Sequence, residues 1–280
     1  GAGRPVTPIV GRYVISNDWE NAVMTYLGME GDENEDVAKF RKHIRDNGIS
    51  QEALDIIPHW LGFERDMLRH LIANPEDWVG AFRKLPNNLQ LMTVHSLQSV
   101  AFNKTIRARI NANISLSTPV EGDIVGRVDE NGQLETSSMV KVEERTLNRI
   151  SRNCKLGRLV VTGQLPGSRL DRSDGIVGEI ENSVLEEMSL ADTTWKVEQI
   201  GRLTTKGTRR PLVTNFSEFQ FEPVPIAGEE TMGEKWTEGV QEGDLWHPEG
   251  ACIRFRFTLP SGSYATTLLR EFMRSPLQQL

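Results

Sequence analysis

The sequence predicts an α+β (mixed α/β) protein, helix-rich over residues 1–195 and strand-rich over residues 196–280. Three observations predict it. Capped segments with apolar residues three or four apart fill the first hundred positions. Asn131-Gly132 falls between short apolar segments, the turn chemistry of a hairpin. Beyond Lys196 the texture alternates, as in ACIRFRFTL, where Ile253, Phe255, Phe257 and Leu259 interleave with Arg254, Arg256 and Thr258.

Each element has its own justification. SNDWENAVMTYLG opens on Ser16-Asn17-Asp18, spaces Trp19, Val23 and Leu27 helically, and closes on Gly28. DVAKFRKHIRDNG repeats that design up to Gly48, and FERDMLRHLIAN and PEDWVGAFRKL continue it, the latter from Pro75. The acidic stretch Met29 to Asp36 reads as a surface loop. A long helix over roughly 88–110 follows Pro86. MVKVEERTLNRISRN reads as a helix, RLVVTGQLPG as a strand, and GEIENSVLEEM as a helix with acids in its first turn. KVEQIGRLTT, RPLVTNFSEFQFEPV and ACIRFRFTL read as strands, and a last helix begins near Tyr264.

Composition narrows the function. No run approaches the roughly 18 apolar residues of a membrane span. Cys154 and Cys252 are far apart and match no metal spacing, which points to free thiols in a reducing, cytoplasmic compartment. His43, His59, His70, His95 and His247 form no HxxxH or HExxH, so no metal is expected. No Gly-rich phosphate loop or serine-hydrolase elbow occurs; PGSRL and PSGSY read as turns. The sequence starts GAGRPVTP without a methionine, which reads as a tag scar or an internal point of a longer polypeptide.

Net charge is -7, yet the charges are segregated. Acids crowd into Met29–Asp36 and Glu229–Asp244. Cations collect at Lys104, Arg107 and Arg109; at Arg145, Arg149, Arg152, Lys155 and Arg158; and at Arg202, Lys206, Arg209 and Arg210. Solvated faces produce such clusters routinely, but clusters that include Lys104, Arg107, Arg109, Arg149, Arg152, Lys206, Arg209, Arg210, Arg254 and Arg256 also suit a phosphate backbone. On the long helix His95, Ser99, Asn103 and Arg107 recur every four residues as one polar stripe, fit for hydrogen-bonding a polar substrate or a neighbouring loop. Near the C-terminus a basic strand face turns into a helix N-terminus, where Ser263, Thr266 and free amides could accept an anion.

Several segments together resemble the TruD family of tRNA pseudouridine synthases. FTLPSGSYATTLLREFM resembles that family's C-terminal signature, a strand, then L-P-x-G-S-[FY]-A-T, then a helix carrying R-E. HSLQSVAFNKTIRARI resembles its S-x-x-x-N helix, matched by Ser99 and Asn103. TGQLPGSRL followed by GEIENSVLEE resembles its L-P-G stretch and downstream helix. GRPVTPIVGRYVISNDWENAVMTYL resembles the segment after its N-[YF]-F-G-x-Q-R-F-G motif, especially in archaeal and eukaryotic members.

The resemblance implies a largely helical TruD insertion domain over 1–195 and the C-terminal part of a mixed-sheet catalytic domain over 196–280, with tRNA in the cleft. It implies isomerisation of a tRNA uridine: the C1′–N1 bond breaks, the base turns over and C5 rejoins C1′, without cofactor or metal. Ser99, Asn103, Gly262, Ser263, Tyr264 and Thr266 would support the active site. The family's catalytic aspartate lies in G-x-K-D-x-x-A-x-T-x-Q, which does not occur here. The motifs carrying its base-stacking aromatic and the aspartate's basic partner are absent too. All three are expected upstream of Gly1, so no residue here is assigned a catalytic role, and this chain alone is expected to be inactive. An RNA-binding module without activity, or a protein-interaction domain with solvated cations, are the alternatives.

Overall fold

The computed structural model describes residues 5–169, 171–224, 252–260 and 262–273. Among the described residues two compact units emerge, one of residues within 5–127 and 134–212, the other of residues within 128–133 and 213–273. Residues 196–212, assigned from sequence to the second part, thus lie in the first unit.

The first unit begins with seven helices: α1 Val6–Ile15, α2 Trp19–Gly28, α3 Glu35–Asn47, α4 Gln51–Ile56, α5 Gly62–Ala73, α6 Trp78–Phe82 and α7 Asn87–Asn111. Side-chain caps explain several starts. Asp18 accepts from the Asn21 amide, Asn34 from Val37, Ser50 from Ala53 and Asp77 from Gly80. Helix α3 stops at Gly48, whose φ of 76° suits glycine. α6 is shorter than expected from Pro75, because Glu76 is left-handed at φ 68° and Asp77 takes the cap.

Helix α1 packs along α7, and the contact is close. A Cβ on Gly11 would lie 2.1 Å from the Thr93 carbonyl oxygen, so only glycine fits there. Val10, Val14, Trp19, Phe40, Met67, Phe82, Leu97 and Trp195 belong to the apolar core that follows. The acidic loop between α2 and α3 is tied down by a buried cation. Arg41 grips Glu33 through Nε and Nη2 (2.6 and 2.9 Å), reaches Glu64 and donates to the Leu27 carbonyl at 2.8 Å.

A four-stranded antiparallel sheet covers the C-terminal half of α7. Its order is β2-β1-β3-β4, with β1 Ile124–Arg127, β2 Val140–Lys141, β3 Leu159–Leu165 and β4 Thr208–Pro211. Two helices complete the unit, α8 Glu144–Lys155 and α9 Gly175–Glu187. MVKVEERTLNRISRN is therefore strand first and helix afterwards. α9 starts three residues earlier than GEIENSVLEEM suggests, which leaves no acid in its first turn. KVEQIGRLTT is not a strand. Its buried Val197, Ile200 and Leu203 fall every third residue, the period of the 3-10 turn Gly201–Leu203.

In the second unit β5 Ser217–Val224 pairs antiparallel with β6 Cys252–Thr258, and α10 Ala265–Met273 follows. Phe219, Phe255 and Phe272 form a mutual ring cluster at 5.0–5.9 Å between centroids. The Asn131-Gly132 turn belongs here, with Gly132 at φ 75° and Asp129 closing it onto Gln133. It lies in the connection between β1 and β2, which pair antiparallel with Ile124 opposite Lys141, so the hairpin signal falls between two paired strands, inside a loop longer than a two-residue turn. Glu229–Asp244 and Ser261 lie outside the described residues.

Candidate nucleic-acid interface

Helix α7 organises the first unit's polar chemistry. Its buried face carries Gln90, Thr93, Val94, Leu97, Gln98, Ala101, Phe102, Thr105 and Arg109, at steps of three and four. His95, Asn103 and Arg107 of the polar stripe lie exposed on the other side, with Ser99 half-buried beside them. The Ser99 hydroxyl donates back to the His95 carbonyl at 2.9 Å. The stripe is thus an outward surface, available to a partner.

The buried polar residues of α7 hold loops in place. Gln98 Nε2 donates to the Pro166 carbonyl (2.7 Å) and to Thr205 Oγ1 (3.2 Å). It thereby joins the L-P-G stretch after β3 to the Thr204–Gly207 loop before β4. The Ser168 and Arg169 amides donate to the Thr205 and Lys206 carbonyls, each at 3.0 Å. The backbones approach so closely that a Cβ on Gly167 would sit 2.0 Å from the Gly207 nitrogen, while Gly207 has φ 79°. This packing gives the L-P-G glycine its physical reason.

Two of the expected phosphate contacts are corrected by burial. Arg109 is 2% exposed; its Nη1 and Nη2 grip Asp123 at 2.6 and 2.8 Å, and Nε donates to the Ser115 carbonyl. Arg209 is 5% exposed and bound to Glu181 (2.7 Å), Thr162, Ser173 and the Asp171 carbonyl. Their donors are spent inside the protein, where burying a charge requires such pairing. Sequence reading saw the cations but missed Asp123 and Glu181. The signal was present in α9, where Glu181 shares the apolar side of Val177, Val184 and Leu185.

The other candidates divide. Arg149 and Arg152 are exposed on α8, Arg107 on α7 and Lys206 in the loop before β4. Lys104 is half-exposed and paired with Glu187 at 2.5 Å. The Arg210 guanidinium lies 5.4 Å above the Phe102 ring. In the second unit, Arg254 and Arg256 lie on β6 opposite Glu222 and Gln220 in register. Gly262 adopts φ 82°, the Ser263 amide donates to the Pro260 carbonyl at 3.1 Å, and Tyr264 and Thr266 are exposed around the start of α10.

No catalytic centre is assembled by these groups. Asp123 is buried against Arg109, and Asp174 is paired with Lys141 at 2.7 Å. Burial, reinforced by the Asp123 charge, pushes the Cys154 thiol up, away from thiolate chemistry. A void of about 10 Å³ bordered by Thr105, Arg109, Thr162 and Glu181 is far too small for a nucleotide. Among the described residues no group of three or more His, Cys, Asp or Glu could hold a metal, and no helix is long and apolar enough to cross a membrane.

Comparison with known proteins gives this surface its context. A family model described as tRNA pseudouridine synthase D (TruD) matches residues 1–272. The "Probable tRNA pseudouridine synthase D" of Methanosarcina mazei is 39% identical over 280 residues, covering 99% of this chain and 60% of that protein. The protein of the same name from Methanosarcina barkeri is 38% identical with the same coverage. A crystal structure described in these terms, from Methanosarcina mazei, matches with a TM-score of 0.83 at 37% identity, covering 100% of this chain and 60% of that one. The chain thus spans about 60% of the length of the curated relatives it matches. With a family match over 1–272, motifs in the family order and a mixed α+β fold shared with a solved relative, the chain belongs to the tRNA pseudouridine synthase D (TruD) family.

Proposed function

We propose that these 280 residues are part of a TruD-type tRNA pseudouridine synthase and supply RNA-facing surface. The reaction is isomerisation of a tRNA uridine by C1′–N1 cleavage, base rotation and C1′–C5 rejoining, with no cofactor or metal. The observation that carries the reading is the family's L-P-G loop braced against α7 by Gln98, on the helix whose exposed side presents Ser99 and Asn103. In this reading Ser99 and Asn103 support the active site, as do Gly262, Ser263, Tyr264 and Thr266. Arg107, Arg149, Arg152, Lys206 and Arg256 contact phosphates. The target base leaves its stack before reaction. Residues 1–195 derive from the family's insertion domain and 196–280 from its catalytic domain, with 196–212 packed into the first unit, and the protein works in the cytoplasm.

The catalytic aspartate lies outside these residues, because the G-x-K-D-x-x-A-x-T-x-Q motif is absent. A tritium-release or mass-spectrometric assay on unmodified tRNA tests this division of labour. The 280-residue chain should bind tRNA in a salt-dependent way and form no pseudouridine. Conversion by the chain alone would overturn the placement of the aspartate. Absence of tRNA binding would overturn the RNA-facing role.

A further inference from the structure

The paired loops beneath α7 bring two cations together. The hydrogen bond from the Arg169 amide to the Lys206 carbonyl places these residues on adjoining backbone. Both side chains are exposed, and neither forms an ion pair among the described residues. Asp171, two residues beyond Arg169, is exposed and bonded to neither side chain.

Like charges set side by side oppose folding. The protein does not let them drift apart. Gln98 bridges the two loops, Ser168 and Thr205 add a second backbone bond, and the Gly167–Gly207 contact leaves no room for slippage. A third cation, Lys196, is exposed on a neighbouring segment, joined through the Thr205 amide and the Trp195 carbonyl. A rigid frame that fixes two cations without an ion-pair partner on adjoining backbone suits an external anion.

We propose that Arg169 and Lys206 form a two-cation clamp on one phosphate group of the RNA backbone. The guanidinium supplies a forked pair of donors and the ammonium a mobile point charge, so the two grip different oxygens of one phosphodiester. The clamp rests on the RNA-binding reading above and adds a place for the backbone on the first unit. Arg169 is its new member.

The test measures tRNA affinity of the 280-residue chain against salt, with thermal midpoints. Arg169→Gln with Lys206→Gln should weaken binding by about tenfold near 0.1 M salt and lower the salt slope by roughly one to two. The midpoint should hold or rise, because a repulsive pair has gone. Arg169→Lys with Lys206→Arg keeps both charges and should recover most of the affinity. Unchanged affinity and slope in the Gln pair, beside normal wild-type binding, would refute the clamp and leave the broader function standing. Failure of the charge-preserving pair to recover affinity would also refute it. If the wild-type chain shows no salt-dependent tRNA binding, both readings fall.

Discussion

Arg209→Met should cripple folding of the first unit. The guanidinium makes five hydrogen bonds: Nε to Thr162 Oγ1 (2.8 Å), Nη1 to the Asp171 carbonyl (3.1 Å), and Nη2 to the Thr162 carbonyl, Ser173 Oγ and Glu181 Oε1 (3.0, 3.0 and 2.7 Å). Both ion-pair side chains are 3% exposed or less. Removing the cation strands the Glu181 carboxylate, whose Oε2 already lacks a hydrogen-bond partner among the described residues. Breaking a buried pair in this way costs ~3–5 kcal/mol. For a protein of this size that corresponds to roughly 10 °C in thermal midpoint. Glu181→Met combined with Arg209→Met removes the stranded charge and should be less damaging than Arg209→Met alone. A residual loss of about 1 kcal/mol is expected for each carbonyl left without a donor. Urea unfolding followed by far-UV circular dichroism measures all three proteins. If Arg209→Met loses less than about 1 kcal/mol while tRNA affinity falls, Arg209 is a surface phosphate contact and its structural role is wrong.

Two further outcomes probe backbone packing and pH. Gly167→Ala drives a methyl into the Gly207 backbone and should cost ~1–3 kcal/mol in the same assay; a neutral substitution would mean the loops separate freely. The Gly80 amide, then the His70 imidazole, hold the Asp77 carboxyl below its ordinary value at the start of α6. A depressed folded value contributes stability above the unfolded value and loses it as pH falls through the folded one. The stability difference between wild type and Asp77→Asn should therefore be constant at neutral pH and shrink in the acid range. A difference independent of pH would show that the carboxylate's charge contributes nothing.

Much of the fold was legible where a local rule governs it. α2 and α3 announce themselves by Asp18 and Gly48, and β6 by strict alternation. The site was less legible, because polarity does not reveal whether a side chain meets water or a buried partner. On α7 the regular His95–Arg107 stripe is the outward face, while Gln90, Gln98 and Arg109 turn into the interior. Arg109 and Arg209 look like their exposed neighbours until Asp123 and Glu181 arrive from distant positions. KVEQIGRLTT misleads for a different reason: three apolar residues in ten permit either period, and tertiary packing chooses.

The seating of Gly11 against the Thr93 backbone has a consequence during synthesis. α1 leaves the ribosome long before α7 exists, so the Gly11 face has no Thr93 to seat on until the whole excursion through α2 to α6 has been translated. Closing that loop sets an entropic toll on assembly. Once closed, the same contact anchors a core that α2 to α6 share with α1 and α7, so changes of length are absorbed only in the loops between those helices. Insertions between α2 and α6 should be tolerated more readily than any substitution at position 11.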